Sequence, residues 1–212
     1  MNKHAIQPVI VHGYALSGHT HRVEVLLQML AVPYERVAVD LPSAAHKQPA
    51  HMALHPFGQV PVIEDDGVVV WDSSAIMVYL ASKYGDDSLL PSDVVSRAEV
   101  QRWLAVAAGP MVNGPAQARR NLMFKTGADI APMQAIAHAL FKVMNAHLGV
   151  HTYLAVGRLT IADLAAYTYV AHAPEGGIAL DAYANLRAWL ARVEAAPGFF
   201  PMRGSAVGLC AA

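Results

Sequence analysis

Three short stretches set polar groups where backbone geometry can put them to use. In "LSGHTHRV", Ser17 lies in a loop between a β-branched segment, Val9 to Val11, and an apolar-periodic one that begins at Val23. The orphan N–H groups and positive end of a helix starting there favour an anion, and a hydroxyl at that point is a natural donor to it. In "GQVPV", Gln59 and Val60 precede a proline set inside an otherwise strand-like run. Proline has no N–H for a ladder, so either the strand starts at Pro61 or a cis Val60–Pro61 bond turns the Val60 main chain outward. In "WDSSA", Asp72 could accept from an ammonium and Ser73 donate to a carboxylate, again between strand and helix. Taken singly, Ser17 and the Asp72–Ser73 pair read as helix N-caps. Together the three stretches would suit a small zwitterion with an extended backbone.

The surrounding elements are readable from their periods. Val23, Leu26, Leu27 and Leu30 recur at helical spacing, Pro33 stops that helix, and Tyr34 to Val39 alternates as a half-buried strand. The opening is thus a βαβ unit with a parallel pair. After an irregular section rich in Pro, Ala and His, Val62 to Glu64 and Val68 to Trp71 flank Asp66-Gly67, a strong hairpin signal. A helix follows with Ile76, Tyr79 and Leu80 on one side, ending near Gly85. These elements predict a four-stranded mixed sheet with helices packed on it. A polar stretch with a proline, 86–93, reads as a linker between a domain over 1–85 and a second over 94–212. In that second half the segments "VVSRAEVQRWLAVAAG", "MQAIAHALFKVMNAHLG", "TIADLAAYTYVAHA" and "LRAWLARVEAAPG" all read as helices and none as a strand. Thr160 and Asp163 have capping-box spacing, with Leu159 and Leu164 as its staple, so Asp163 reads as structural.

Composition narrows the function classes. At 212 residues, 55% hydrophobic and 15% charged, the chain has ample apolar surface for a core. A net charge of -1 with no basic stripe argues against nucleic-acid binding. No apolar run approaches the ~20 residues of a membrane span. The N-terminus lacks a secretory h-region, so a cytoplasmic protein is expected. The lone Cys210 cannot form an intrachain disulfide, and its place near the end makes it a tail thiol rather than a nucleophile. The pairs His51/His55 and His19/His21 have no carboxylate or cysteine at zinc-site spacing, so no metal is expected.

With those residues in view, "HPFGQVPVIEDDGVVVWDSSAIMVYLASKYG" closely resembles the "NPxGxVPVLxDDGxxLxESxAIxxYL" stretch of soluble glutathione S-transferases. "RAEVQRWL", "TIADLAAY" and "LRAWLARVEAAPGF" resemble that family's helical domain, so the likeness covers most of the chain. The resemblance implies an α/β N-terminal thioredoxin-like domain (βαβ-α-ββα) followed by an all-α helical-bundle domain, and usually a homodimer. It implies a cis Val60–Pro61 bond, with the Val60 main chain paired to the cysteinyl part of glutathione as a miniature β-augmentation. Gln59 would contact the tripeptide, Asp72 and Ser73 would hold its γ-glutamyl end, and His46 and Lys47 are candidates for its glycine carboxylate. Ser17 matches the serine of serine-type members, as the thiolate's hydrogen-bond donor. A pocket for a small hydrophobic electrophile is expected between the domains, with Tyr14, Trp103, Met111 and Asn113 as candidates from their segments.

Departures from the family pattern matter as well. Asp72 replaces the usual Glu and is one methylene shorter; His55 stands where Asn is common. Thr20 is an alternative thiol donor and His19 an alternative base. No cysteine lies near that loop, against mixed-disulfide chemistry, and the "SSCS" signature of maleylacetoacetate isomerases is absent. The implied activity is transfer of glutathione to an electrophile, with glutathione as co-substrate. Glutathione-dependent peroxide reduction and a non-catalytic binding or assembly protein on the same fold are the alternatives.

Overall fold

A computed structural model describes residues 7–205; Cys210 and the first six residues lie outside them. Strand β1 (Val9–Gly13) leads through the Ser17 loop into helix α1 (Gly18–Met29), and β2 (Tyr34–Ala38) returns parallel to β1. Helix α1 ends before Pro33, at Leu30, because Ala31 takes a left-handed φ of 52° that breaks the ladder. A 3₁₀ turn at Ala45–Lys47 and the six-residue helix α2 (Pro49–Leu54) fill the section that sequence left irregular. Strands β3 (Val62–Asp65) and β4 (Val68–Trp71) form the hairpin, with Asp66 and Gly67 both at positive φ as a type I′ turn requires. Helix α3 (Ser73–Tyr84) closes the unit.

The sheet order is β2-β1-β3-β4, with β3 antiparallel to both neighbours, which is the thioredoxin-like arrangement expected. Strand β2 is an edge, and four of its five residues are exposed rather than alternating. Val9, Val11 and Ile63 from the central strands and Leu26, Leu27, Ile76 and Leu80 from the helices are buried in one core. The register aligns His12 with Val62 and Val62 with Trp71. The exit of β1, the entry of β3 and the exit of β4 therefore open at one end of the sheet. Three short loops that are far apart in sequence are brought together there by strand order alone.

The remaining helices are α4 (Val94–Ala108), α5 (Gln117–Met123), α6 (Ala131–Leu148), α7 (Ile161–Ala171) and α8 (Ala184–Glu194). Among the described residues no strand follows Trp71. Between α4 and α5 the chain passes Gly109 and a π-helical turn, Val112–Ala116, that contains Pro115. Helix α7 is buried along nearly its whole length and packs on α1 and α4. Its capping box is formed: Asp163 Oδ2 accepts from the Thr160 N–H at 2.9 Å, and Oδ1 accepts from the Leu154 N–H and Trp189 Nε1, each at 2.9 Å. No helix among the described residues is long and apolar enough to cross a membrane.

Candidate active site

Ser17 is the N-cap of α1, with extended φ/ψ, and its Oγ accepts the Thr20 N–H at 3.2 Å. An N-cap uses its oxygen as an acceptor, so the hydroxyl proton remains to be donated outward. Thr20 does not compete for that task. It is fully buried, its Oγ1 accepts the Tyr14 N–H at 3.3 Å, and a Cβ added at Gly13 would lie 2.3 Å from its methyl. Thr20 faces the sheet, one turn inward from Ser17, and so is corrected from alternative donor to part of the scaffold.

His19 is occupied as well. Its Nδ1 accepts from the Arg22 guanidinium and lies 3.1 Å from Ser73 Oγ. Burial pulls its pKa well below the ordinary histidine value, and the Arg22 charge adds to the effect. The neutral ring therefore carries its proton on Nε2. A ring whose Nδ1 is filled and whose Nε2 is protonated is a donor, which corrects the expectation of a base. Arg22 itself is buried, donates to Ser73 Oγ, and reaches the Ala165 carbonyl of α7 at 3.0 Å. Burial brings its pKa to about 10, with Tyr169 and Asp72 opposing the fall, so it stays a cation. A carboxylate seated at Ser73 would lie one hydrogen bond from that buried charge.

Asp72 has φ 68° and ψ 121°, outside the regions a non-glycine residue prefers, while capping α3: its Oδ1 accepts from the Ser74 and Ala75 N–H groups at 2.9 and 3.1 Å. Strain of this kind costs about 1–3 kcal/mol and concentrates at ligand sites. Oδ2 has no hydrogen-bond partner among the described residues, and the residue is exposed. The Val60–Pro61 peptide bond is cis. Neither the Val60 N–H nor its carbonyl is paired among the described residues, whereas the Gln59 carbonyl accepts from His51 Nε2 at 2.7 Å. His46 and Lys47 sit beside this strip, since a Cβ at Gly58 would lie 2.6 Å from the His46 carbonyl, and Lys47 Nζ donates to the Phe57 carbonyl at 2.9 Å. The His46 Nδ1 is buried without a partner.

Beside Ser17 opens a cleft of about 180 Å³, walled on one side by Tyr14, Leu16, His19 and Gln59 and on the other by Val112, Gln117, Arg119, Arg120, Phe124 and Tyr169. Tyr14, a candidate for the electrophile pocket, and Gln59, a candidate contact for the tripeptide, both line this cleft. Trp103 and Met111 do not line it: at 8% and 0% exposure they belong to the core, Trp103 on α4, which packs on α7, and Met111 in the turn just after α4. Asn113 is exposed but does not line the cleft; its neighbour Val112 does.

The residues missed come from α5 and α7. Arg119 donates through Nη1 to the Leu16 carbonyl at 2.7 Å and through Nε to Glu175 at 2.7 Å, so it fixes the residue before Ser17. Tyr169 packs on Gly18, where a Cβ would come within 2.8 Å of its ring, and its oxygen is turned toward the Gly18 and His19 N–H groups. Burial raises its pKa, and Arg22 and Arg119 oppose that rise. The signal for the arginines was "QARRN", a doubled charge in a charge-poor helical half. Nothing local marked Tyr169. Among the described residues no group of three or more histidine, cysteine or acidic side chains could hold a metal ion.

Residues 8–82 match the family model of the glutathione S-transferase N-terminal domain and residues 128–197 that of the C-terminal domain. Glutathione S-transferase 3 of Zea mays is 34% identical over 209 residues, covering 91% of each chain. A solved structure of a possible glutathione S-transferase from Rhodopseudomonas palustris superposes with a TM-score of 0.86 at 30% identity, covering 96% of this chain and 93% of the other. A glutathione transferase homologue from Drosophila mojavensis, solved with bound glutathione, gives 0.83 at 28% identity over 90% and 89%.

Proposed function

Because the chain belongs to the glutathione S-transferase family, we infer that it is a glutathione transferase that activates the glutathione thiol for attack on small hydrophobic electrophiles. The observation that carries this reading is the Ser17 hydroxyl, held as the cap of α1 with its proton unspent, beside an unpaired Val60 main chain at the same sheet end. The thiolate is the nucleophile, so the site must favour it over the thiol. Ser17 donates to the sulfur, His19 stands by as a neutral donor, and the proton leaves to solvent. The sulfur then forms a bond to the electrophilic carbon while the leaving group departs with its electron pair.

Supporting assignments follow for the tripeptide. Val60 receives the cysteinyl backbone, Pro61 sets its direction and Gln59 borders it. Asp72, through Oδ2, takes the γ-glutamyl ammonium, and Ser73, backed by Arg22, takes the carboxylate. His46 and Lys47 meet the glycine end. The domain division at 1–85, 86–93 and 94–212 belongs to the same reading, with α3 ending at Tyr84 and α4 starting at Val94 in its support. So does a homodimer, supported by Phe57, 65% exposed and stacked edgewise on Trp71, itself 39% exposed. A cytoplasmic site of action fits a co-substrate kept reduced there.

The test is retention on immobilised glutathione followed by a conjugation assay with 1-chloro-2,4-dinitrobenzene. Retention with turnover is expected. Retention without turnover against either an aryl halide or an organic hydroperoxide would leave a non-catalytic binding protein in its place. Sedimentation equilibrium should give twice the 22.7 kDa chain mass; a monomer would remove the dimer from the reading.

A further inference from the structure

We propose that the electrophile taken by this cleft carries a carboxylate or another fixed anion on its aromatic or conjugated body, and that Arg120 is the residue that recognises it. This rests on the transferase reading above and deepens it. The side chains lining the cleft include two arginines and no acid. Arg119 is 3% exposed, its Nη1 and Nε held by the Leu16 carbonyl and Glu175, and only its buried Nη2 lacks a partner among the described residues. Glu175 in turn is shared with His172 at 2.6 Å and Ser205 at 2.5 Å, so its negative charge is spent inside the fold. Arg120 is different. It is exposed and lines the cleft, and its side chain has no hydrogen-bond or ion-pair partner among the described residues.

Glutathione does not account for this cation. Its two carboxylates are assigned to Ser73 and to the His46–Lys47 strip, both on the sheet side, while Arg120 projects from α5 on the opposite wall. The surface beside it is partly apolar. Tyr14 and Phe124 both line the cleft and pair with each other, ring centroids 6.4 Å apart and 31° between planes, and Leu16, Val112 and Met123 add apolar lining. Aromatic and apolar surface beside an exposed guanidinium matches an amphiphilic acid, since a planar guanidinium suits a carboxylate and the lining holds no acid to compete for it.

The experiment compares 4-chloro-3-nitrobenzoate with its methyl ester. In both, the glutathione sulfur bonds to the ring carbon bearing chlorine, and chloride leaves with the bonding pair. Each kcat/KM is divided by the uncatalysed rate constant with glutathione, which removes the ester's greater intrinsic reactivity. The acid should be favoured over the ester at least tenfold in the wild type, mainly through KM. Arg120→Gln should abolish that ratio, and Arg120→Lys should keep part of it. A ratio near one in the wild type, or one unchanged in Arg120→Gln, would overturn the proposal. Calorimetry with unreactive 3-nitrobenzoate and its methyl ester, in saturating glutathione, separates the two levels of inference. Arg120-dependent preference for the acid without turnover of either halide would sustain the anion site and remove the transferase reading. Equal binding of acid and ester would remove the anion site whatever the turnover.

Discussion

The proposed mechanism gives the Ser17 oxygen two functions, and the two can be separated by experiment. As an acceptor it caps α1, which contributes about 0.5–2 kcal/mol to stability. On the proposed reading it also donates to the thiolate and so stabilises it. Bringing a thiol from about 8.5 to about 6.5 takes about 2.7 kcal/mol, of which a helix end supplies about 0.3–1 kcal/mol and a charge-assisted hydrogen bond about 1.5–3 kcal/mol. The Thr20 N–H is taken by Ser17 itself, so that amide of the helix end would act on a bound sulfur only through the hydroxyl. Ser17→Ala should therefore raise the pKa of bound glutathione by about one to two units and cut kcat roughly 3- to 25-fold at about pH 7, with little change in glutathione affinity. The loss should fade as pH rises past the new thiol pKa. Following the thiolate's ultraviolet absorbance against pH checks this; the same titration curve in wild type and Ser17→Ala would show that another group holds the sulfur. His19 illustrates what residue-level reading of a sequence cannot supply. Its position two residues on from Ser17 was visible, but whether it acts as base or donor depends on Arg22 and Ser73 meeting it in space.

At the scale of elements, legibility followed the strength of local signals. The βαβ opening, the Asp66-Gly67 hairpin and the Thr160/Asp163 cap were readable because each is written in adjacent residues. Helix α2 was passed over because six residues give too short a period to see, and α5 because Gly109 and Pro115 interrupt the helical pattern just before it. Missing α5 meant missing Arg119 and Arg120, and with them one wall of the cleft. Trp103 and Met111 were misplaced for a related reason: a segment's period shows that a face is buried but not which neighbour buries it. The cap makes the firmest element-scale prediction. Asp163→Ala would strand the Leu154 and Thr160 N–H groups and Trp189 Nε1, all buried, at a cost of about 1–3 kcal/mol each before relaxation. The midpoint of urea unfolding should fall by an amount equivalent to at least about 3 kcal/mol, with the helical half affected first. A shift below about 1 kcal/mol would mean that the capping box is ornamental to this domain.

For the whole molecule, the site lies where the two halves are tied together, and the ties contain a titratable group. Arg22 reaches Ala165, Arg119 reaches Leu16, and His21 of α1 bonds Thr168 of α7 at 2.8 Å and the Phe200 carbonyl at 2.9 Å. With Phe200 accepting, Nε2 carries the proton and Nδ1 accepts from Thr168, so the ring is neutral. Burial brings its pKa from 6.5 down to about 4, partly offset by the Phe200 hydrogen bond. The unfolded chain therefore takes up this proton first as pH falls. Stability from His21 is full above about 6.5 and is lost progressively between about 6.5 and about 4, reaching about 3 kcal/mol at the acid end. Burial moves His19 and His172 in the same direction, so the wild-type slope contains them too. Subtraction isolates the tie: urea midpoints of wild type and His21→Gln, measured from pH 7.5 to 4.5, should converge as pH falls, because only the wild type loses the His21 contribution. Parallel curves would show that His21 packs between the halves without governing their acid stability. Since the same interface holds the Leu16–Ser17 loop, conjugation activity in the wild type should decline across the same window faster than thiolate protonation alone explains, and in His21→Gln that excess decline should be smaller.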